Sequence, residues 1–363
     1  MLNRWPVPAD RPWRIWFLLF GVLAHLFLWF LIFLVIGLAK HVELFDGDNL
    51  VDLLITWIVL LLMAIGAALV FSAGEIDLSM SGCAVLGGAV LVAVGGKGEL
   101  APVLAVVLAA MLGFIVGCLN GALVAGLRVP SFVVTLGASL GLFAMAMRIG
   151  RSEEPFYGGG AAAAVVVGLL AFIVGTAAIA FAVLLAFWRQ GQLEKRVALE
   201  VEEQPGADSP ILPLVLRGVP FVFAATLAAL AGVVLSLRVG GGPGRAFDFN
   251  LGTYAIAAAL LGGALVFHGR GRMGVAVLGA LGGAAVMALA LDVLGSMGFA
   301  SFTNDLVLGL VIGEACVVSG AVRLIEWYMD KRRAEQQAPP RHGAGDTAPE
   351  GIGPLPPEWP QSV

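Results

Sequence analysis

Gly74-Glu75-Ile76-Asp77-Leu78-Ser79-Met80-Ser81-Gly82 is a polar segment between two long apolar runs. We call its first six residues, 74–79, the acidic segment. A carboxylate this close to hydrocarbon is costly unless its oxygens accept hydrogen bonds or contact water. Asp77 and Ser79 therefore predict one of two structures, an N-terminal cap for the helix that follows or part of a polar passage.

The composition of the chain places the acidic segment in a membrane protein. Of the 363 residues, 60% are hydrophobic and only 13% are charged, whereas water-soluble domains carry about 25% charged residues. The first apolar run starts near Arg11 and Arg14 and is too long for the core of a signal peptide, which predicts a retained span. Cys83, Cys118 and Cys316 have neither disulfide nor zinc spacing.

Apolar runs of about 20 residues predict an all-α integral membrane protein with about ten transmembrane helices. The predicted spans are 13–38, 51–71, 82–96, 101–126, 131–148, 161–187, 213–237, 251–267, 273–296 and 303–325. An even number of spans puts both termini on one side, and 15 of the 21 Lys and Arg residues then lie on that side. Because basic residues favour the cytoplasmic side, both termini are predicted to be cytoplasmic.

Polar stretches delimit the predicted permeation domain. Residues 1–12 form a cytoplasmic N-terminus, 13–334 the transmembrane domain, and 188–212 its longest internal polar loop, on the cytoplasmic side. Residues 335–363 contain seven prolines and few apolar residues. This composition is typical of a disordered cytoplasmic tail.

A weak internal repeat links the two halves of the chain. Leu86-Gly87-Gly88-Ala89 recurs as Leu261-Gly262-Gly263-Ala264. In the predicted topology the first copy lies in a span that runs outward and the second in a span that runs inward. Transporters often contain such inverted repeats, in which short, glycine-interrupted segments mark the transport path and are buried or re-entrant. Chance similarity in a chain with 49 glycines is the alternative.

The chain lacks the motifs of known catalytic chemistry. No His/Cys/Asp/Glu cluster has metal spacing, and neither a Ser-His-Asp set nor a phosphate-binding loop is present in the sequence. The sequence therefore predicts no catalytic residue, no metal site and no cofactor in this chain. Asp292 and Glu314, inside apolar runs, are either hydrogen-bonded structural residues or members of a proton relay, which needs carboxylates close together.

Five motifs follow one another between about residues 70 and 325. They are Gly74-Glu75-Ile76-Asp77-Leu78-Ser79, Gly117-Cys118-Leu119-Asn120-Gly121, Arg128-Val129-Pro130-Ser131-Phe132 through Thr135-Leu136-Gly137, Leu227-Ala228-Ala229-Leu230-Ala231-Gly232, and Ala255-Ile256-Ala257-Ala258-Ala259-Leu260-Leu261-Gly262-Gly263 followed by Gly269-Arg270-Gly271. In this order they resemble the signatures of permease subunits of ribose- and autoinducer-2-type ABC importers, a family distantly shared with branched-chain amino acid permeases.

The resemblance implies a permease subunit, not an enzyme, that moves a monosaccharide-like or other small polar solute into the cytoplasm. Two permease subunits, identical or related, would pair in the bacterial inner membrane and bind cytoplasmic ABC ATPase subunits, which hold the ATP and Mg²⁺. An extracytoplasmic solute-binding protein would deliver the solute, and no nucleic acid is expected as a partner. The motifs indicate these candidate gating or translocation residues: Gly74, Glu75, Asp77, Ser79, Asn120, Thr135, Gly262 and Gly263.

The chain departs from the family pattern in two places. Glu75 replaces the second glycine of the first motif and adds a charge beside Asp77. The loop at 188–212 occupies the position of the family's coupling helix without its motif, and its candidate residues for ATPase contact are Glu202, Glu203 and Gly206.

Two other functions remain open from the sequence. One is an ion-coupled secondary transporter or channel, with Asp77, Asp292 or Glu314 as the ion-linked group. The other is a membrane-bound structural or assembly subunit, which would explain the missing coupling motif.

Overall fold

The computed structural model describes residues 12–40, 42, 46–94, 101–149, 211–239, 250–264, 273–297 and 301–337. Within these residues all regular secondary structure is helical. The chain divides into two compact units, Met1–Ser319 and Gly320–Val363. In the second unit the described residues are helical, and the Arg332 guanidinium lies over the ring of Tyr328, one turn earlier.

Nine helices occupy the described residues. They are α1 (Pro12–Ala39), α2 (Gly47–Ser72), α3 (Met80–Val94), α4 (Ala101–Gly121), α5 (Ser131–Ile149), α6 (Ile211–Val239), α7 (Leu251–Leu261), α8 (Met273–Ser296) and α9 (Ser301–Gln337). A wider, π-helical turn at Ala122–Gly126 continues α4. Seven of the described helices are long and apolar enough to cross a membrane, and α3 and α7 are shorter.

These helices confirm the predicted all-α class and coincide with nine of the ten predicted spans. The tenth, 161–187, lies outside the described residues, as do Glu202, Glu203 and Gly206. The count of ten and the coupling loop therefore stay predictions. The inverted repeat also stays a prediction.

Some helix boundaries differ from the predicted ones. α6 starts at Ile211, inside the predicted loop 188–212, and α9 continues to Gln337, past the predicted start of the tail at 335. The extension of α9 follows from its residues, since Ala, Glu and Gln are strong helix formers. Pro339 comes two residues after the observed end of the helix, where a proline commonly follows a helix terminus.

α6 is the most deeply buried of the long helices. It packs against α2, α3 and α4, whereas α8 packs against α1, α2 and α7, so α2 contacts both groups. Of the most apolar part of α6, 72% is buried, against 17% for α1 and for α5. α1 and α5 expose large apolar side chains such as Phe27 and Leu140, as helices that face lipid do.

Small residues bring α4 and α6 into backbone contact. A Cβ atom added at Gly113 would lie 2.7 Å from both Thr226 Cα and Ala225 O, and one added at Gly121 would lie 2.8 Å from Gly218 O. Glycines spaced along one helix face allow helices to approach closely. We call this contact the α4–α6 seam.

Candidate functional site

The acidic segment begins where α2 ends, and a glycine makes the turn. Gly74 has a φ of 81°, in the left-handed region that favours glycine. Its N–H donates to Phe71 O (2.9 Å) and the N–H of Glu75 donates to Val70 O (3.2 Å), a pattern that closes many helices. The turn directs the next residues inward, and Glu75 and Asp77 are buried, at 8% and 2% exposure.

The backbone after this turn bonds to hydroxyl groups of α5. The N–H of Ile76 donates to Ser131 Oγ (3.3 Å), and the N–H of Leu78 donates to Thr135 Oγ1 (3.1 Å). Thr135 Oγ1 in turn donates to Ser131 O (2.8 Å). Buried backbone N–H groups need a partner, and here side chains supply it because the segment has no regular secondary structure.

A chain of hydrogen bonds joins α4 to Asp77. Asn120 Nδ2 donates to Ser79 Oγ (2.9 Å), and Ser79 donates to Asp77 Oδ1 from both its hydroxyl (2.6 Å) and its N–H (2.8 Å). Asp77 therefore closes a two-residue turn onto Ser79, and does not cap α3 directly. The carbonyl of Ser79 accepts the N–H of Cys83 (2.9 Å) at the start of α3.

The second carboxylate oxygen of Asp77 is an unused acceptor. Asp77 Oδ2 is buried without a hydrogen-bond partner among the described residues, and the same holds for Ser139 Oγ, one turn beyond Thr135 on α5. Asp77 lies between α2 and α3, outside both helices. Burial raises the pKa of its carboxyl to about 6, and the hydrogen bonds from Ser79 oppose this shift.

Arg217, in α6, supplies the charge that Glu75 needs. Its Nε donates to Glu75 Oε1, and its Nη2 contacts the same oxygen. A buried carboxylate without a paired charge is strongly destabilising, so this pair accounts for a glutamate in an apolar setting. In the sequence, Arg217 is one of the 15 basic residues on the predicted cytoplasmic side. The signal that could have found it is Glu75 itself, whose burial requires a nearby cation.

The first turns of the two short helices meet beside the acidic segment. The N–H of Gly252, in α7, donates to Ser81 Oγ, in α3 (3.0 Å). At about 1.5 Å per residue, the 15 residues of α3 and the 11 of α7 each fall short of a hydrocarbon core of about 30 Å. Both helices are almost entirely buried.

Gly262 and Gly263 lie at the other end of α7, about 15 Å from Gly252 at the helical rise per residue. Gly263, with a φ of 83°, closes α7 by the same turn that Gly74 makes after α2. Gly262 packs against the backbone of Gly279 in α8. The structure thus brings together six of the sequence-predicted site residues, and separates Gly262 and Gly263 from them. The six are Gly74, Glu75, Asp77, Ser79, Asn120 and Thr135.

Two carboxylates within the apolar helices have partners elsewhere. Asp292 Oδ2 accepts from Asn49 Nδ2 (3.2 Å). Glu314 accepts from Trp29 Nε1 (2.9 Å) and lies 3.5 Å from His25 Nδ1. Within the part of the chain that the structure describes, no three His, Cys, Asp or Glu side chains are grouped so as to hold a metal ion.

Known proteins resemble this chain over most of its length. Residues 49–190 match the family described as "Branched-chain amino acid transport system / permease component". The chain is 30% identical over 275 residues to the "Autoinducer 2 import system permease protein LsrC" of Enterobacter sp. (strain 638), covering 73% of this chain and 77% of that protein. Identity to the proteins of the same name from Salmonella paratyphi B and Escherichia coli O9:H4 is 32% over 274 residues, or 73% of this chain and 76% and 77% of theirs. No solved structure gives a significant match.

Proposed function

The chain belongs to the family of multi-pass ABC importer permeases that includes the autoinducer 2 systems, and from this premise we propose that it moves a monosaccharide-like or other small polar solute into the cytoplasm. A separate ATPase subunit, with its ATP and Mg²⁺, supplies the energy, so this chain is not itself an enzyme. A second permease subunit and an extracytoplasmic binding protein complete the importer. It lies in the bacterial inner membrane with both termini in the cytoplasm.

The observation that carries this proposal is the unused acceptor of Asp77. Asp77 Oδ2 is buried beside the meeting point of two short helices, an arrangement that marks the substrate region in many transporters. Its other oxygen is held by Ser79, which Asn120 orients. A solute hydroxyl that reaches this point can donate to Asp77 Oδ2 without displacing a protein group.

The charges around the acidic segment favour a neutral solute. Among the residues that the structure describes, Arg217 is the cation that contacts this segment, and it is already paired with Glu75. A zwitterionic amino acid brings its own carboxylate, which would need a cation of its own once desolvated. Hydroxyl groups need only acceptors and donors such as Asp77, Ser79 and Asn120. This argues for a polyhydroxylated solute over a branched-chain amino acid.

The separate partners of the carboxylates count against the ion-coupled alternative. A proton relay requires carboxylates close to one another. Asp77 bonds to Ser79, Asp292 to Asn49, and Glu314 to Trp29.

ATP-dependent uptake tests the proposal. The chain would be co-expressed with the ATPase and binding protein of the proposed importer, reconstituted in proteoliposomes, and offered radiolabelled ribose and autoinducer 2 separately. We expect uptake of at least one solute only with ATP, and at least a tenfold loss in Asp77→Asn. Asp52→Asn, outside the acidic segment, is the control and should transport normally. Uptake that follows a proton gradient without ATP, or a stable monomer that binds no ATPase, would contradict the proposal.

A further inference from the structure

We propose that the Glu75–Arg217 ion pair holds the acidic segment closed over the first turn of α3, and that breaking it admits water to Cys83. The pair joins residues 142 positions apart. The proposal concerns the conformation of the protein and does not depend on which solute is carried, or on whether one is.

The α4–α6 seam places two anchors for the acidic segment side by side. Asn120 precedes Gly121 and Arg217 precedes Gly218, and these two glycines are in close backbone contact. Asn120 holds Ser79 by a neutral hydrogen bond, whereas Arg217 holds Glu75 by a charge-assisted one. Charge-assisted hydrogen bonds are roughly twice as strong as neutral ones, so the ion pair is the stronger anchor.

The two partners differ in their exposure to solvent. Removing one partner should therefore have a different effect from removing the other. The Glu75 side chain is 8% exposed and that of Arg217 is 46% exposed. If Glu75 loses its charge, the Arg217 guanidinium can turn to water. If Arg217 is removed, Glu75 keeps its charge only by leaving the protein interior to be hydrated, because a buried unpaired carboxylate is far more costly. Loss of Arg217 should therefore open the acidic segment more than loss of Glu75.

The chain contains a matched control pair on the same helix. Arg238, in the last turn of α6, pairs with Asp52 of α2, and their side chains are 40% and 44% exposed. Exposed ion pairs contribute little to stability. Asp52→Asn therefore removes a carboxylate–arginine contact of α6 without touching the acidic segment.

The reactivity of the Cys83 thiol can be used to measure this opening. It lies in the first turn of α3, is 1% exposed, and donates its N–H to the carbonyl of Ser79. The other cysteines, Cys118 and Cys316, are exposed. Replacing both by serine leaves Cys83 as the single thiol of the chain.

The test measures how fast a hydrophilic maleimide labels Cys83 in the full-length Cys118→Ser/Cys316→Ser protein in nanodiscs. We expect Glu75→Gln to raise the rate about tenfold, equivalent to about 1.4 kcal/mol. Arg217→Gln should raise it further, and the Glu75→Gln/Arg217→Gln double variant should match Glu75→Gln alone. Asp52→Asn should stay within about twofold of the background protein. Thermal unfolding of each variant checks that the faster labelling is not due to global unfolding.

The proposal is overturned if Glu75→Gln labels at the background rate, or if Asp52→Asn accelerates labelling as much as Glu75→Gln does. If Arg217→Gln does not fold, the comparison of Glu75→Gln with Asp52→Asn decides alone. Because no solute, ATP or partner subunit is added, a negative result here leaves the transport proposal intact, and failure of ATP-dependent uptake leaves this one intact.

Discussion

Replacing Gly113 by alanine should force α4 and α6 apart. The new Cβ would lie 2.7 Å from Thr226 Cα, whereas carbon atoms in contact stay about 3.5–4.0 Å apart. The two backbones must therefore separate by about 1 Å, because a backbone atom cannot rotate out of the way. Overpacking costs about 1–3 kcal/mol, and the better helix propensity of alanine returns about 1 kcal/mol. Because the clash is with backbone atoms, we expect a cost in the upper half of this range, about 2–3 kcal/mol, and hence a net loss of about 1–2 kcal/mol.

Gly137→Ala, on α5, is the matched control. An added Cβ there meets nothing within 4 Å, so only helix propensity acts and the variant should be as stable as wild type or slightly more so. The assay heats purified fluorescent fusions and uses size-exclusion chromatography to measure how much folded protein remains at each temperature. Gly113→Ala should melt about 2–8 °C lower than wild type. Equal melting of Gly113→Ala and wild type, or an equal drop in Gly137→Ala, would refute the close contact at the α4–α6 seam.

Three further predictions concern buried polar groups. The pKa of Asp77 is raised from 3.8 to about 6 in the folded protein. The free energy of unfolding of the wild type should therefore fall as pH rises from about 4 to about 6. In Asp77→Asn, unfolding measured across the same pH range should show no such fall. Asn120→Asp should destabilise the detergent-solubilised protein more than Asn120→Ala, because it sets a second carboxylate against Ser79, which already bonds to Asp77; equal melting temperatures would argue against this. Trp29→Phe should lower the free energy of unfolding by about 1–2 kcal/mol, because it removes a hydrogen-bond donor from Glu314. In the Glu314→Gln background the same substitution should cost much less, and a double-mutant cycle measures this difference.

The helices of this chain were predictable because apolar runs of membrane length are a strong local signal. The predicted short span 82–96 appears as α3 at Met80–Val94. The side chains that contact the acidic segment were not predictable from such a local signal. The contact of Asn120 with Ser79 spans 41 positions and that of Arg217 with Glu75 spans 142. Such contacts depend on how α4 and α6 pack, which hydropathy does not encode.

Some of the residues that the motif resemblance groups lie together in the fold, and others lie apart. Asp77, Ser79 and Asn120, which come from two of the motifs, form one hydrogen-bonded chain. Gly262 and Gly263 belong to the same set of motifs but close the far end of α7. A glycine that closes a helix acts through its backbone conformation. Its presence in a motif therefore does not place it near the solute.

The close contact between α3 and α6 has a consequence for how the protein is made. Gly87 in α3 packs against the backbone of Ala229, and Gly232 in α6 packs against that of Ala84. At a synthesis rate of about 5–20 residues per second, the ribosome reaches Gly232 roughly 7–30 s after Gly87. During this interval α3, too short to span the bilayer, lacks its principal neighbour. Until α6 arrives, the neighbours available to α3 are α4 and α5, which also pack against it, and the insertion machinery.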